Sequence, residues 1–134
     1  MVCAQLIYED NFLIIRNFDY HNEDAYYNTS FDIEVSSGNF KGLASCEYHF
    51  KDFKDFVTDL QKMYNFELQT VTLHEICYGS RIQFQADKTG HIEISGEIYG
   101  DAMEHRLKFI FNADQYVLKQ FLSELQNMMA QHNT

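Results

Sequence analysis

The chain has 134 residues, of which 46% are apolar and 22% are charged. This composition predicts a single globular α+β domain over residues 1–134 that needs no disulfide or metal to form its core. Twenty Asp and Glu residues against ten Lys and Arg residues give a net charge of −10, which argues against nucleic-acid and anionic-membrane partners. The acidic balance favours a basic protein partner, and solubility alone is the alternative explanation.

The cysteines and the apolar runs indicate the cellular compartment. Cys3, Cys46 and Cys77 match no zinc or CxxC redox spacing, so they are expected to be isolated thiols in a reducing compartment. The longest apolar run, residues 12–15, is too short for a membrane span or for the core of a signal peptide. We therefore expect a cytoplasmic protein.

The first half of the chain predicts strands separated by one irregular segment. A strand is expected over residues 5–16, with a bend or hairpin turn at residues 9–11. Residues 17–30 are polar and aromatic without periodicity, which predicts a long loop or an irregular edge. Strict alternation from residue 31, turn residues at 36–39 and a return over 40–48 predict a hairpin.

A helix and a second set of strands follow. Apolar residues at helical spacing over 53–64 predict a helix with Asp52 available as its N-cap. Strands are expected over residues 68–77, 82–86 and 92–98, and Gly90 supplies the positive φ for the hairpin loop before the last of these. Gly96 interrupts the inward row of isoleucines, where a bulge or a close backbone approach is expected.

The C-terminal helix has the clearest pattern. A strand over residues 106–111 precedes it, and Asn112 with Gln115 fits a capping box. The apolar stripe of this helix must pack on the sheet, and it consists of Val117, Leu118, Phe121, Leu122, Leu125, Met128 and Met129. The predicted fold class is α+β: an antiparallel sheet of about six to seven strands, with one inserted helix and one C-terminal helix packed on it.

Several common enzyme motifs are absent from the sequence. It has no GxGxxG, P-loop, nucleophile elbow or HExxH pattern. A metal set of His74, Glu75 and Cys77 would point to both faces of one strand. Glu93 and Glu97 would lie about 13 Å apart, beyond the roughly 5–9.5 Å of glycosidase carboxylates. We therefore predict a protein that is not an enzyme and has no cofactor or metal; a ligand site between the sheet and the helices is the alternative.

Carboxylates are expected on the outer face of the sheet. Asp32 and Glu34 alternate with apolar residues on one strand, and Glu93 and Glu97 do so on another. If these strands share a sheet, its outer face presents an acidic surface to a cationic partner. A solvated sheet face without a partner is the alternative.

Four motifs carry a family resemblance, in the order FDIEVSSGNFKG at 31–42, FKDFVTDL at 53–60, GHIEISG at 90–96 and LKFIFNADQ at 107–115. The series resembles the WapI-like immunity proteins of bacterial contact-dependent toxin systems and related small uncharacterised bacterial proteins. The resemblance covers about residues 31 to 126. Tyr116 stands where the family usually has Thr or Ser, and the turn after Leu68 lacks the frequent Gly.

The resemblance implies a cytoplasmic protein that binds and neutralises a cognate toxin, often a nuclease. An acidic protein can occupy the basic cleft of a nuclease, and Tyr together with Asp suits an interface. The expected partner-binding residues are Asp19, Tyr20, Glu23, Asp24, Tyr26, Tyr27, Asp32 and Glu34. The alternatives are a loop that merely connects strands, and a structural or housekeeping domain that homodimerises through an exposed sheet edge or face.

Overall fold

A computed structural model describes residues 3–21, 28–75, 77–100 and 104–132. Within these ranges the chain forms eight strands and two helices. The elements are β1 Ala4–Tyr8, β2 Asn11–Tyr20, β3 Thr29–Ser37, β4 Phe40–Tyr48, α1 Phe50–Tyr64, β5 Thr70–His74, β6 Arg81–Ala86, β7 His91–Gly100, β8 His105–Asp114 and α2 Gln115–His132. No helix in these ranges is long and apolar enough to cross a membrane.

The strands form two sheets. Sheet A has the order β1-β2-β3-β4, sheet B has the order β5-β6-β7-β8, and all neighbouring strands are antiparallel. The predicted α+β class is confirmed, whereas the predicted single sheet is wrong. Helix α1 separates β4 from β5 in the chain, and the strand that follows it begins a second meander instead of pairing with β4.

The two helices pack between the inner faces of the sheets. Phe53 of α1 contacts Phe31 of sheet A, with ring centroids 5.1 Å apart, and Phe56 contacts Phe84 of sheet B at 5.9 Å. Phe121 of α2 contacts the same Phe84 ring at 6.2 Å. Elsewhere β4 contacts β7 and β8 directly, so the two sheets and both helices share one apolar core.

The alternation of apolar residues predicted the core well. The inward isoleucines of β7 are buried, and so are five residues of the α2 stripe, while Val117 and Met129 are partly buried. Burial of each large apolar side chain contributes about 1.5–3 kcal/mol. The buried residues of the α2 stripe are Leu118, Phe121, Leu122, Leu125 and Met128.

The N-terminal segment contains more strand than expected. Of the bend and the hairpin turn that were expected at residues 9–11, the structure has the hairpin turn, which joins β1 to β2. Strand β2 continues to Tyr20, which pairs with Thr29 of β3, so these ends of the expected loop are strand. A bulge between Arg16 and Asp19, with Asn17 at φ +56°, breaks the alternation of β2 at these residues.

Helix α1 begins earlier than the sequence suggested. His49 is its N-cap, and the imidazole Nδ1 accepts a hydrogen bond from the Lys51 N–H at 3.2 Å. The side chain of Asn28 accepts from the Phe50 N–H at 2.9 Å. Asp52 therefore lies in the first turn and is not the cap, because two other side chains already satisfy N–H groups at this end.

Helix α2 begins later than the sequence suggested. Pairing with β7 continues β8 through Asp114, so Asn112 lies in the strand and is not the N-cap. The carboxylate of Asp114 accepts from the Val117 N–H at 3.1 Å. Gln115 does not complete a capping box. Its side-chain amide donates to the Tyr64 carbonyl at 2.7 Å, so it provides a hydrogen-bond donor to a carbonyl group at the C-terminal end of α1.

Two glycines perform the roles expected of them. Gly90 has φ +89° in the loop between β6 and β7. Gly96 marks a close backbone approach, because a Cβ built there would lie 2.1 Å from the Arg81 carbonyl oxygen. Both expectations are confirmed.

Phe66 gives a first testable prediction. It follows the C-cap of α1 with φ +62°, and the Glu67 N–H reaches the Lys62 carbonyl at 2.8 Å, a Schellman arrangement that favours Gly. The Phe66 side chain is 57% exposed. Replacing Phe66 by Gly is expected to raise the free energy of unfolding by about 0.5–1 kcal/mol, measured by urea denaturation.

The matched control for this prediction is Phe66→Ala. It removes the ring but keeps the Cβ that disfavours the left-handed conformation. If Phe66→Gly is no more stable than Phe66→Ala, backbone strain at this position does not limit stability.

Candidate functional site

The outer face of sheet A collects acidic side chains from three strands. Asp32 and Glu34 of β3 alternate with buried apolar residues and point outward, as predicted. The register places Ser30 between Asp19 of β2 and Glu47 of β4. Since neighbouring strands lie about 4.8 Å apart, these carboxylates form one surface, which we call the acidic face: Asp19, Asp32, Glu34 and Glu47.

Neighbouring side chains orient the carboxylates of β3. Asp32 accepts hydrogen bonds from the Asn17 amide at 2.7 Å and from the Ser45 hydroxyl at 3.0 Å. Glu34 forms an ion pair with Arg16, with 3.0 Å between Oε1 and the guanidinium nitrogen. The bulge at Asn17 thus has a consequence for the surface, because its amide reaches the carboxylate of the adjacent strand.

The remaining two carboxylates are more exposed. Asp19 lies 2.8 Å from the imidazole Nε2 of His21, and Glu47 forms no ion pair with another residue in the described ranges. Three of the four carboxylates of the acidic face therefore have no Lys or Arg partner among the described residues. The negative charge of the face is reduced by Arg16 but not cancelled.

The other predicted partner-binding residues do not join this face. Tyr20 is half-buried on the inner side of β2, and its ring stacks on Phe50 with centroids 4.0 Å apart. Glu23, Asp24, Tyr26 and Tyr27 lie outside the described residues.

The expected shared face with β7 is wrong. Glu93 and Glu97 lie on sheet B, whereas Asp32 and Glu34 lie on sheet A. The sequence reasoning also missed Glu47. The hairpin predicted at residues 36–39 would have been enough to place Glu47 on this face, because pairing Ser37 with Phe40 sets Ser30 opposite Glu47.

Apolar side chains adjoin the acidic face. Glu34 lies between Ile14 of β2 and Leu43 of β4 in the register, and Leu43 is 54% exposed. The Lys41 ammonium lies 5.8 Å from the centre of the Phe12 ring. Apolar groups beside charged ones are the usual composition of a protein interface. The apolar residues of this region are Ile7, Phe12, Ile14 and Leu43.

A buried carboxylate fixes β4 beneath the acidic face. Glu75 is 1% exposed, and its Oε2 accepts the backbone N–H of Glu47 at 3.0 Å. Its Oε1 accepts the N–H groups of Tyr78 at 2.7 Å and Gly79 at 3.1 Å. Because three backbone donors compensate its burial, Glu75 is a structural group that joins β4 to the loop before β6.

The Cys46 thiol and the possible metal ligands are the candidate reactive groups near the acidic face. Burial raises the pKa of the Cys46 thiol far above its usual range, and the charges of Glu75 and Asp32 raise it further, so the thiol stays protonated and unreactive. In the part of the chain that the structure describes, no group of three His, Cys, Asp or Glu side chains could hold a metal ion.

The comparison with protein families gives one match. The model of the immunity protein WapI-like family matches residues 6–133, a wider range than the motifs at 31–126 and one that includes most of β1 and all of β2. No curated protein and no solved structure matches the chain. Because the match spans nearly the whole sequence, the chain belongs to the immunity protein WapI-like family.

Proposed function

We propose that this protein is a non-enzymatic cytoplasmic immunity protein that neutralises a cognate nuclease-type toxin by binding it through the acidic face. Family membership supports the role of immunity protein. The observation that carries the choice of surface is the convergence of Asp19, Asp32, Glu34 and Glu47 on one side of sheet A.

Charge supports a basic partner. A nuclease cleft binds a polyanion and is therefore lined with cationic groups, which carboxylates can contact in place of phosphates. The net charge of −10 also accelerates the encounter with a basic protein, and this acceleration weakens as salt screens the charges.

The geometry supports a surface that is ordered before binding. The carboxylate of Asp32 is held by Asn17 and Ser45, and that of Glu34 by Arg16. Side chains that are already oriented lose less conformational entropy when a partner arrives. Exposed apolar groups such as Ile7 and Leu43 add contact area beside the charges.

The test removes two exposed carboxylates from the acidic face. We expect the gene beside that of this chain to encode a secreted protein with a toxic C-terminal domain, and this domain is the binding partner. The variant Asp19→Asn/Glu47→Gln should bind it about tenfold more weakly, mainly through slower association, and with a smaller salt dependence. Stopped-flow mixing at low and high salt measures both effects.

The control Glu67→Gln/Glu93→Gln makes the same change in net charge at exposed positions away from the acidic face. If this control loses as much affinity as Asp19→Asn/Glu47→Gln, only the overall charge matters and the acidic face is not the binding surface. If the neighbouring toxic domain does not bind the wild-type protein, the proposed function is wrong. A stable dimer that buries Ile7 and Leu43, detected by sedimentation, would favour the homodimer alternative.

A further inference from the structure

A groove of about 920 Å³ lies on the outer face of sheet B. Its floor includes Gln83, Ser95 and Gly96, and the hairpin between β3 and β4 forms one wall with Ser37 and Phe40. The Ser37 hydroxyl donates to the Ile110 carbonyl at 3.0 Å, so sheet A is joined to sheet B at this wall. We call this depression the sheet B groove.

The charges in the groove are opposite to those of the chain as a whole. The register places Glu97 between Arg81 of β6 and Lys108 of β8, and all three side chains line the groove. The Tyr99 hydroxyl donates to the Glu97 carboxylate at 2.9 Å. Arg81 and Lys108 form no ion pair or side-chain hydrogen bond with any other described residue. The groove therefore holds two unpaired cations in a protein of net charge −10.

Apolar side chains border the same groove. Phe40 is 69% exposed and Ile110 is 59% exposed, and both line the depression beside the cations. Large apolar side chains that stay exposed next to unpaired charges in a concave surface indicate a site that another molecule covers.

We propose that the sheet B groove receives an extended segment of the toxin that presents carboxylate and apolar side chains on the same face. Arg81 and Lys108 lie two strands apart, about 10 Å across the sheet, and alternate side chains of an extended segment lie about 7 Å apart on one face. Two carboxylates at alternate positions reach both cations, and an apolar side chain at the next position on the same face of the segment contacts Phe40 or Ile110. A compact anion such as phosphate fits less well, because a single small anion cannot contact two cations that lie about 10 Å apart, whereas two separate carboxylates can.

This occupant is distinct from the basic surface that meets the acidic face. The assignment of this segment to the toxin rests on the proposed function. The preference of the groove for an acidic and apolar segment does not, since it follows from Arg81, Lys108, Phe40 and Ile110 alone.

The first test uses no toxin. A short peptide that carries two Asp residues and a Leu at alternate positions, with Ser between them, is titrated into the isotopically labelled protein. The control peptide has Lys in place of Asp. We expect the Asp peptide, but not the Lys peptide, to shift the backbone amide signals of β6, β7 and β8 around the groove. The variant Arg81→Gln/Lys108→Gln should bind the Asp peptide about tenfold more weakly.

The control Lys54→Gln/Lys119→Gln removes the same charge from exposed positions on the helices and should bind as the wild type does. The proposal is overturned if the Asp peptide shifts no groove signals, or if both double variants bind it equally. It is also overturned if inorganic phosphate at the same ionic strength produces the same shifts, because the groove would then be a site for a small anion.

The second test uses the toxic domain. Arg81→Gln/Lys108→Gln should weaken its binding about tenfold, and Lys54→Gln/Lys119→Gln should not. If the toxic domain binds the wild type and both double variants equally, the segment that enters the groove does not belong to the toxic domain. If it binds none of them, the proposed function fails, and the peptide titration still decides what the groove prefers.

Discussion

Replacing Glu75 by Ala is expected to lower the free energy of unfolding by about 3–5 kcal/mol. The substitution leaves the N–H groups of Glu47, Tyr78 and Gly79 without the carboxylate that now accepts all three. A buried donor without an acceptor costs about 1–3 kcal/mol, and no other described side chain forms a hydrogen bond with these three groups. Chemical denaturation measures the loss, and the melting temperature should fall by roughly 10 °C or more.

Two further variants separate this hydrogen bonding from a general effect of charge. Glu75→Gln keeps the shape and one carbonyl oxygen, so it should cost less than Glu75→Ala. Its amide –NH₂ group cannot accept a hydrogen bond, so either the Glu47 N–H or the N–H groups of Tyr78 and Gly79 would lose their acceptor. Glu93→Ala removes an exposed carboxylate and should change stability by less than about 0.5 kcal/mol. A Glu75→Ala protein as stable as Glu93→Ala would show that water replaces the carboxylate without cost.

Replacing Gly96 by Ala should destabilise the protein by about 3 kcal/mol or more. The added Cβ would lie 2.1 Å from the Arg81 carbonyl oxygen and 3.0 Å from the Cα of Ile82. Both atoms belong to the backbone of β6, so they can move only if the pairing of β6 with β7 changes. Urea denaturation measures the loss, and amide exchange in β6 should become faster than in β3.

Gly100→Ala is the matched control, since it adds the same methyl group near the end of the same strand. There the added methyl group would lie 3.4 Å from the Leu43 carbonyl oxygen, which is an ordinary contact. We expect Gly100→Ala to cost less than about 1 kcal/mol. Equal stability of the two variants would mean that β6 and β7 separate at little cost.

Local periodicity made much of the fold predictable. On β7 the isoleucines at 92, 94 and 98 are buried, and the intervening charged residues are not. Asp32 and Glu34 were expected to face outward for the same reason. Such patterns depend only on neighbours along the chain, because successive side chains of a strand point to opposite faces.

Features that depend on distant residues were not predictable from local patterns. Alternation is the same whether strands share one sheet or form two, so it did not reveal that α1 separates sheet A from sheet B. The ion pair of Arg16 with Glu34 requires the register of β2 against β3. Glu75 reads as an ordinary residue at the end of a strand, and its burial follows from a loop that folds around it.

The sheet edges have a consequence for how new specificities arise. The outward N–H of Gln5 on β1 is bonded to Glu124 of α2, that of Glu47 on β4 to Glu75, and the Ile110 carbonyl on β8 to Ser37. Backbone groups that are already bonded do not recruit a foreign strand at these points. At these points a partner would meet side chains, which single substitutions exchange without altering the scaffold, so under the proposed function a point mutation could retarget the protein to an altered toxin.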